Sequence, residues 1–427
     1  MMQPLLMAMV RSPGSPYRRR RSRTLLLSLL CGLSLAGCTG RLELPKVLYL
    51  SISTNSDQRI NAELLDDFVE RLNVLQESYR QIHRDTRFQF SIYPDEWIAN
   101  AIKRRSSAAL GPDLLLINGD TARDMLGLGL IDPFPSSPDL EKLFSPDDLA
   151  RMRGPSGQLA GIPLLIQPQV ACFNRKRLAK PPTTLDELLK ATATGNSVGL
   201  SVELDSMFWT AGSTGAVTSL QRAAAGKALN LAEREKIIQW LRWLQNASNQ
   251  QRMSFLADQL ALKSEFTAGR LDWISCSSSS VPRLRKSLGS ALGVASLPSG
   301  PGGQASPLNR LRVIALGRSS SREGRERALS FSRFVVNPLI QRTLTIGTET
   351  LPANRFVKVP VQSSETLAAM VTSQQGGQQV TRILSEIHDD DPRRLQAQSL
   401  ITQVVFGEKT PTSAADELIQ LLAQKSP

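Results

Sequence analysis

Histidine is nearly missing from this 427-residue chain. Only His83 and His388 occur, so imidazole acid–base chemistry and histidine-built metal sites have little to draw on. Cysteine is equally sparse: of four, Cys31 and Cys38 fall in an N-terminal basic and apolar stretch, leaving Cys172 and Cys276 for the remainder. No C-x-x-C or paired Cys/His spacing points to a metal, and no cofactor motif is present. Aromatic residues make up 5% of the chain, so stacking platforms are few. Neither G-x-S-x-G, H-E-x-x-H nor G-x-x-x-x-G-K-[ST] occurs, which removes the commonest nucleophile-elbow, zinc-protease and phosphate-loop readings. The N-terminal apolar run, residues 24–35, is far short of the roughly 20 residues that cross a bilayer core.

What is present is most distinctive at that end. Arg18, Arg19, Arg20, Arg21 and Arg23 precede the apolar run, which closes on Leu35-Ala36-Gly37-Cys38. A basic block, a short apolar core and small residues before a cut site make an export signal over residues 1–37. The last four residues resemble the lipobox of bacterial lipoproteins. That resemblance implies that Cys38 becomes a lipidated N-terminus, holding the protein outside the cytoplasm on a lipid bilayer; the alternative is an ordinary signal followed by a chance cysteine. The first 37 residues hold six arginines and no acid, so removing them lowers the formal charge from +13 to +7. The remaining basic residues are scattered, and no nucleic-acid partner is expected. Some 390 residues remain, more than one core usually supports, so two lobes are expected. In an exported chain Cys172 and Cys276 could pair, but two buried free thiols is the favoured reading.

Hydrophobic patterning then gives strand, helix, strand, helix, strand, helix. Residues 46–53 (KVLYLSIS) read as a buried strand with a polar mouth, residues 61–80 as an amphipathic helix, 88–93 and 111–118 as strands. Crossovers of this length predict a parallel sheet covered by helices, with ligands outside the carboxyl ends of the strands. Residues 157–174, interrupted by Pro163 and Pro168, suit an extended segment passing between lobes. Thr184 and Glu187 form a capping box. Residues 197–202, 271–276 and 312–316 read as strands, 277–280 as a loop, and 231–245 as a helix with Trp240 in a core. The last seventy residues read as helices.

An ordered series of weak motifs now becomes informative. Pro112-Asp113-Leu114-Leu115 is followed by Gly129-Leu130-Ile131-Asp132-Pro133, then Gly161-Ile162-Pro163, Phe173-Asn174-Arg175, Pro182-Thr183-Thr184-Leu185-Asp186-Glu187-Leu188, Phe266 with Gly269, Gly293-Val294-Ala295 and Leu351-Pro352. In this order the chain resembles the extracellular solute-binding proteins of bacterial ABC importers, in the family that includes maltose-binding proteins. The resemblance implies an α/β, periplasmic-binding-protein-like (type II) fold of two discontinuous lobes joined by a multi-segment hinge. Lobe 1 is expected at 38–167 plus 294–355 and lobe 2 at 168–293 plus 356–427. It also implies a small polar solute between the lobes (carbohydrate, polyol or sugar phosphate) and an ABC permease as partner.

Candidate ligand residues follow from loops at strand ends: Ser51 and Ser53, Asn118 and Asp120, Gln167 and Gln169, Phe208 and Trp209, Ser277 and Ser278, and Thr348 with Glu349. Amides, carboxylates and hydroxyls fix sugar hydroxyls, and Trp209 is the preferred stacking face. The four serines at 277–280 stand where sugar binders often place an aromatic. No catalytic or metal-binding residue is expected: His83 reads as a solvated helix end and His388-Asp389-Asp390-Asp391 as an exposed acidic loop. An envelope lipoprotein hydrolase acting on glycans, or a structural or sensory lipoprotein, stays as the alternative.

Overall fold

The computed structural model describes residues 46–55, 58, 60–385 and 391–424. The expected signal, Cys38 and the acidic loop at His388 to Asp390 lie outside the described residues. No helix among those described is long and apolar enough to cross a membrane.

Among the described residues there are eleven strands: β1 (Lys46–Ser53), β2 (Thr86–Tyr93), β3 (Leu114–Asn118), β4 (Ile131–Asp132), β5 (Ile162–Asn174), β6 (Val198–Ser201), β7 (Met253–Leu256), β8 (Trp273–Ser277), β9 (Leu292–Ala295), β10 (Asn309–Gly317) and β11 (Leu351–Pro352). Their order across the sheet is β2-β1-β3-β10-β5-β8-β6-β7, with β4 on β10 and β9 and β11 on β5. Strand β1 pairs in parallel with β2 and β3, as the helical crossovers require. Its Leu48, Leu50 and Ile52 and its Ser51 and Ser53 are all buried, the pattern of a central strand covered on both faces.

The thirteen residues of β5 join two lobes. Residues from Ile162 to Pro168 pair with β10, and Leu165 and Ile166 also with β11. Gln169 to Asn174 pair instead with β8 and β9. Pro163 lacks an N–H, and it lies where the β5–β10 register shifts, between Arg312 and Val313. β9 hydrogen-bonds to β5 beside β8, and the following loop stays on the second lobe: Ser299 N donates to Thr183 O (2.8 Å) and Ser306 N to Trp209 O (3.1 Å). The chain rejoins the first lobe's sheet with Asn309. Gly302 is required in that loop, because a Cβ there would stand 2.0 Å from Gly215 N.

Local signals match closely. Asn61 caps helix Ala62–Arg80 by accepting from Leu64 N. Thr184 accepts from Glu187 N, but the Glu187 carboxylate takes the Thr183 N–H and hydroxyl rather than the Thr184 N–H, so the box closes one residue early. Residues 278–280 form a single 3₁₀ turn rather than an open loop. His83, half-buried just past helix Ala62–Arg80, stacks on Tyr79, ring centroids 4.4 Å apart. The C-terminal helices Pro392–Val405 and Pro411–Ala423 pack on helix Leu231–Ser248, burying Trp240, Leu241, Ile401 and Leu418 in the second lobe's core.

The expectation of two free thiols is corrected: Cys172 and Cys276 form a disulfide, Cα atoms 6.0 Å apart. The antiparallel register sets Cys172 opposite Ile274 and Cys276 opposite Val170, which brings the two into range.

Candidate functional site

The ladder itself assembles the site. Arg312 of β10 lies opposite Asn118 at the end of β3, Arg310 opposite Gln167 of β5, and Gln169 opposite Ser277 at the end of β8. Polar groups from both lobes thus meet along the middle of β5, where the chain crosses.

On the first-lobe side the central group is Arg312, 5% exposed. Its guanidinium donates to Ser53 Oγ (3.0 Å), Ser53 O (2.6 Å), Asn118 Oδ1 (2.9 Å) and Leu116 O (2.9 Å). Asn118 passes the link on by donating to Asp95 Oδ2 (2.7 Å), which also accepts from Thr121. Burial pushes the Arg312 pKa down to about 10, with Asp95 pulling the other way, so the group stays charged at neutral pH. Beside it lies a cavity of about 160 Å³ lined by Ser53, Asn55, Gln167, Arg312, Thr348 and Thr350, by Phe68, Leu72 and Leu75 of helix Ala62–Arg80, and by Ser279 and Pro282 of the second lobe.

Gln167 also lines a smaller cavity of about 20 Å³ with Gln169, Glu203, Ser206, Gln259, Ser277 and Arg310. That is room for about one water. Gln169 is committed, donating to Asp205 O (2.9 Å) and accepting from Leu308 N (3.2 Å). Glu203 accepts from Ser201, Ser206 and Gln259 N, yet burial outweighs these bonds and raises its pKa. Burial alone would raise Asp205 as well, but Arg394 and Arg310 (3.1 Å) outweigh it and hold the carboxyl below its usual range. Gln167 Oε1, Gln259 Oε1 and Asn55 Oδ1 are buried without a partner, an arrangement that offers acceptors to an incoming donor.

Of the residues expected from sequence, Ser53, Gln167 and Thr348 come together on the larger cavity, and Gln167, Gln169 and Ser277 on the smaller one. Asn118 sits behind Arg312 as a support. The others line neither cavity. Ser51 is buried against Tyr49 and Ser91, Asp120 faces Arg123 at 4.0 Å, Ser278 is buried in its turn, and Glu349 pairs with Arg285 at 3.1 Å. Phe208 and Trp209 are corrected outright: they are 1% and 0% exposed, packed near Trp240 and Trp273 respectively. Residues 204–214 fold into two short helices that turn both rings into the lobe. Sequence reasoning missed Asn55, Phe68, Leu72, Glu203, Gln259, Arg310 and Arg312. One signal was available for the last two, since two arginines at i and i+2 in an otherwise apolar strand must find partners.

The family model of bacterial extracellular solute-binding proteins matches residues 77–369. Among solved structures, the GacH receptor of Streptomyces glaucescens, studied unliganded and with acarbose, is 16% identical over 89% of this chain and 99% of its own, with a TM-score of 0.66. The maltose-maltodextrin binding protein of Alicyclobacillus acidocaldarius is 17% identical over 89% of this chain and 100% of its own, with a TM-score of 0.61. A Thermotoga lettingae ABC transporter solute-binding protein, solved with α-D-tagatose, is 14% identical over 88% of this chain and 100% of its own, also at 0.61. At these identities the likeness is one of fold. No curated protein matches.

Proposed function

Because the chain belongs to the bacterial extracellular solute-binding proteins, we propose that it is a lipid-anchored receptor that captures a small polar solute, a carbohydrate, polyol or sugar phosphate, between its lobes and delivers it to an ABC permease. The observation that carries this reading is the position of Gln167. It lies on the strand shared by both lobes, lines two adjoining cavities and keeps a buried carbonyl oxygen without a donor. A solute hydroxyl placed there satisfies that oxygen and touches both lobes at once, which favours the closed arrangement over the open one. The structurally similar proteins solved with acarbose and with α-D-tagatose support the ligand class. Residues 1–37 are the export signal in this reading, and Cys38 carries the lipid that keeps the receptor beside its permease.

A thermal-shift screen against sugars, sugar phosphates, polyols and peptides tests the proposal. A solute at a hundredfold excess over its dissociation constant adds about 2.7 kcal/mol of stability, and it should be recovered unchanged after incubation. A peptide as the sole stabiliser, or turnover of a glycan without its retention, would sink the reading. Globomycin-type inhibition of lipoprotein processing should leave the export signal attached; a chain that still matures and detaches from membranes removes the anchor from the proposal.

A further inference from the structure

The larger cavity is walled mostly by hydrocarbon. Phe68, Leu72 and Leu75 recur at spacings of four and three on helix Ala62–Arg80, Leu164 and Leu165 come from the irregular part of β5, and Leu344 comes from helix Pro338–Thr348. Most polar groups on its surface are already engaged: Ser53 accepts from Arg312, and the hydroxyls of Thr348 and Thr350 bond one another at 2.8 Å. Two carboxamides keep carbonyl oxygens without a donor, Asn55 Oδ1 and Gln167 Oε1, on residues only 6% and 9% exposed.

Such a lining is a poor match for a solute that is hydroxylated all round. Hydroxyls facing the leucines would lose water and gain nothing, whereas methylene groups there gain by leaving water. It is also poor for an anion, because the one cation on its lining, Arg312, already donates to Ser53, Asn118 and Leu116. Resting on the solute-binding reading above, we infer that the preferred solute is an uncharged amphiphile of the alkyl glycoside class, its hydroxyls donating to Asn55 and Gln167 and its alkyl portion lying against Phe68, Leu72 and Leu75.

Calorimetric titration of the purified protein with methyl, butyl and hexyl glucoside, each below its micellar concentration, tests this alongside maltose and glucose 6-phosphate. Affinity should rise about fourfold per added methylene until the wall is covered. Leu72→Asn should flatten that slope, and the wild-type series stands even if the variant folds poorly. Equal affinity at every chain length, or tighter binding of maltose or glucose 6-phosphate than of hexyl glucoside, overturns the inference while leaving the receptor reading intact. Failure of every saccharide, phosphate and glycoside to bind overturns both.

Discussion

Replacing Arg312 with methionine keeps much of the side-chain volume and removes every donor. The structure then leaves Ser53 Oγ, Ser53 O, Asn118 Oδ1 and Leu116 O without the guanidinium that now serves them, and deprives Asp95 of its nearby positive charge. A buried acceptor that loses its partner costs about 1–3 kcal/mol, but water entering from the adjoining cavity recovers part of that at some of the four. Breaking a buried charge network at one member costs about 3–5 kcal/mol in comparable cases. We therefore expect Arg312→Met to lose about 3–5 kcal/mol, and Arg312→Lys to lose less, since an ammonium keeps the charge and three donors but not the planar fork. Urea unfolding followed by circular dichroism reads both as a fall in midpoint at unchanged slope. A loss below about 1 kcal/mol for the methionine variant, or a lysine variant as damaged as the methionine one, would refute the reasoning that this buried network contributes stability through its charge.

The remaining predictions concern other parts of the same region. The purified protein should contain no free thiol at Cys172 or Cys276 when alkylated under denaturing, non-reducing conditions, and the double alanine variant should lose about 2–4 kcal/mol; two labelled thiols would contradict the pairing. Trp209→Ala should act through stability, lowering it by about 3–5 kcal/mol in urea unfolding. A variant that keeps wild-type stability while losing solute would return Trp209 to the cleft. Glu203, with its folded pKa raised, contributes no penalty below the ordinary carboxylate range and an increasing one as pH rises through its folded value. Glu203→Gln should accordingly gain stability relative to wild type between pH 4 and pH 7, and a constant difference across that window would show that the carboxyl is not under strain from burial.

Strand and helix positions were legible because each is written locally. The apolar run of 46–53 with its polar end, the helix start at Thr184 and the prolines of β5 all act over a few residues, and the strand and helix starts appear where expected. The candidate site was legible only where it lies on those elements: Ser53, Gln167, Gln169 and Ser277 line one or other of the two cavities. Trp209 misled because a strand-end tryptophan reads as exposed until residues 204–214 are known to coil inward. Arg312 was read as the start of a strand, and only the position of β10 between β3 and β5 shows it sealed inside. The disulfide depended on a register between residues 104 apart, which no local pattern encodes.

Those two features missed from sequence act on the same strand from opposite sides. Arg312, paired with Leu165, fixes the first-lobe half of β5 to the ends of β1 and β3. Cys172 fixes the second-lobe half to β8, whose last residue is Ser277. Between them lie Gln167 and Gln169, one with an open acceptor and one fully committed. A crossing strand held at both ends limits how far Gln167 drifts, so less ordering remains to be done when a solute binds. On this argument, loosening either fastening should weaken solute binding through a faster release rate, although neither Arg312 nor the disulfide offers the solute a free donor. Stopped-flow dissociation from the double cysteine variant reads that effect directly, and a release rate equal to wild type would mean that the strand is held by its ladder alone.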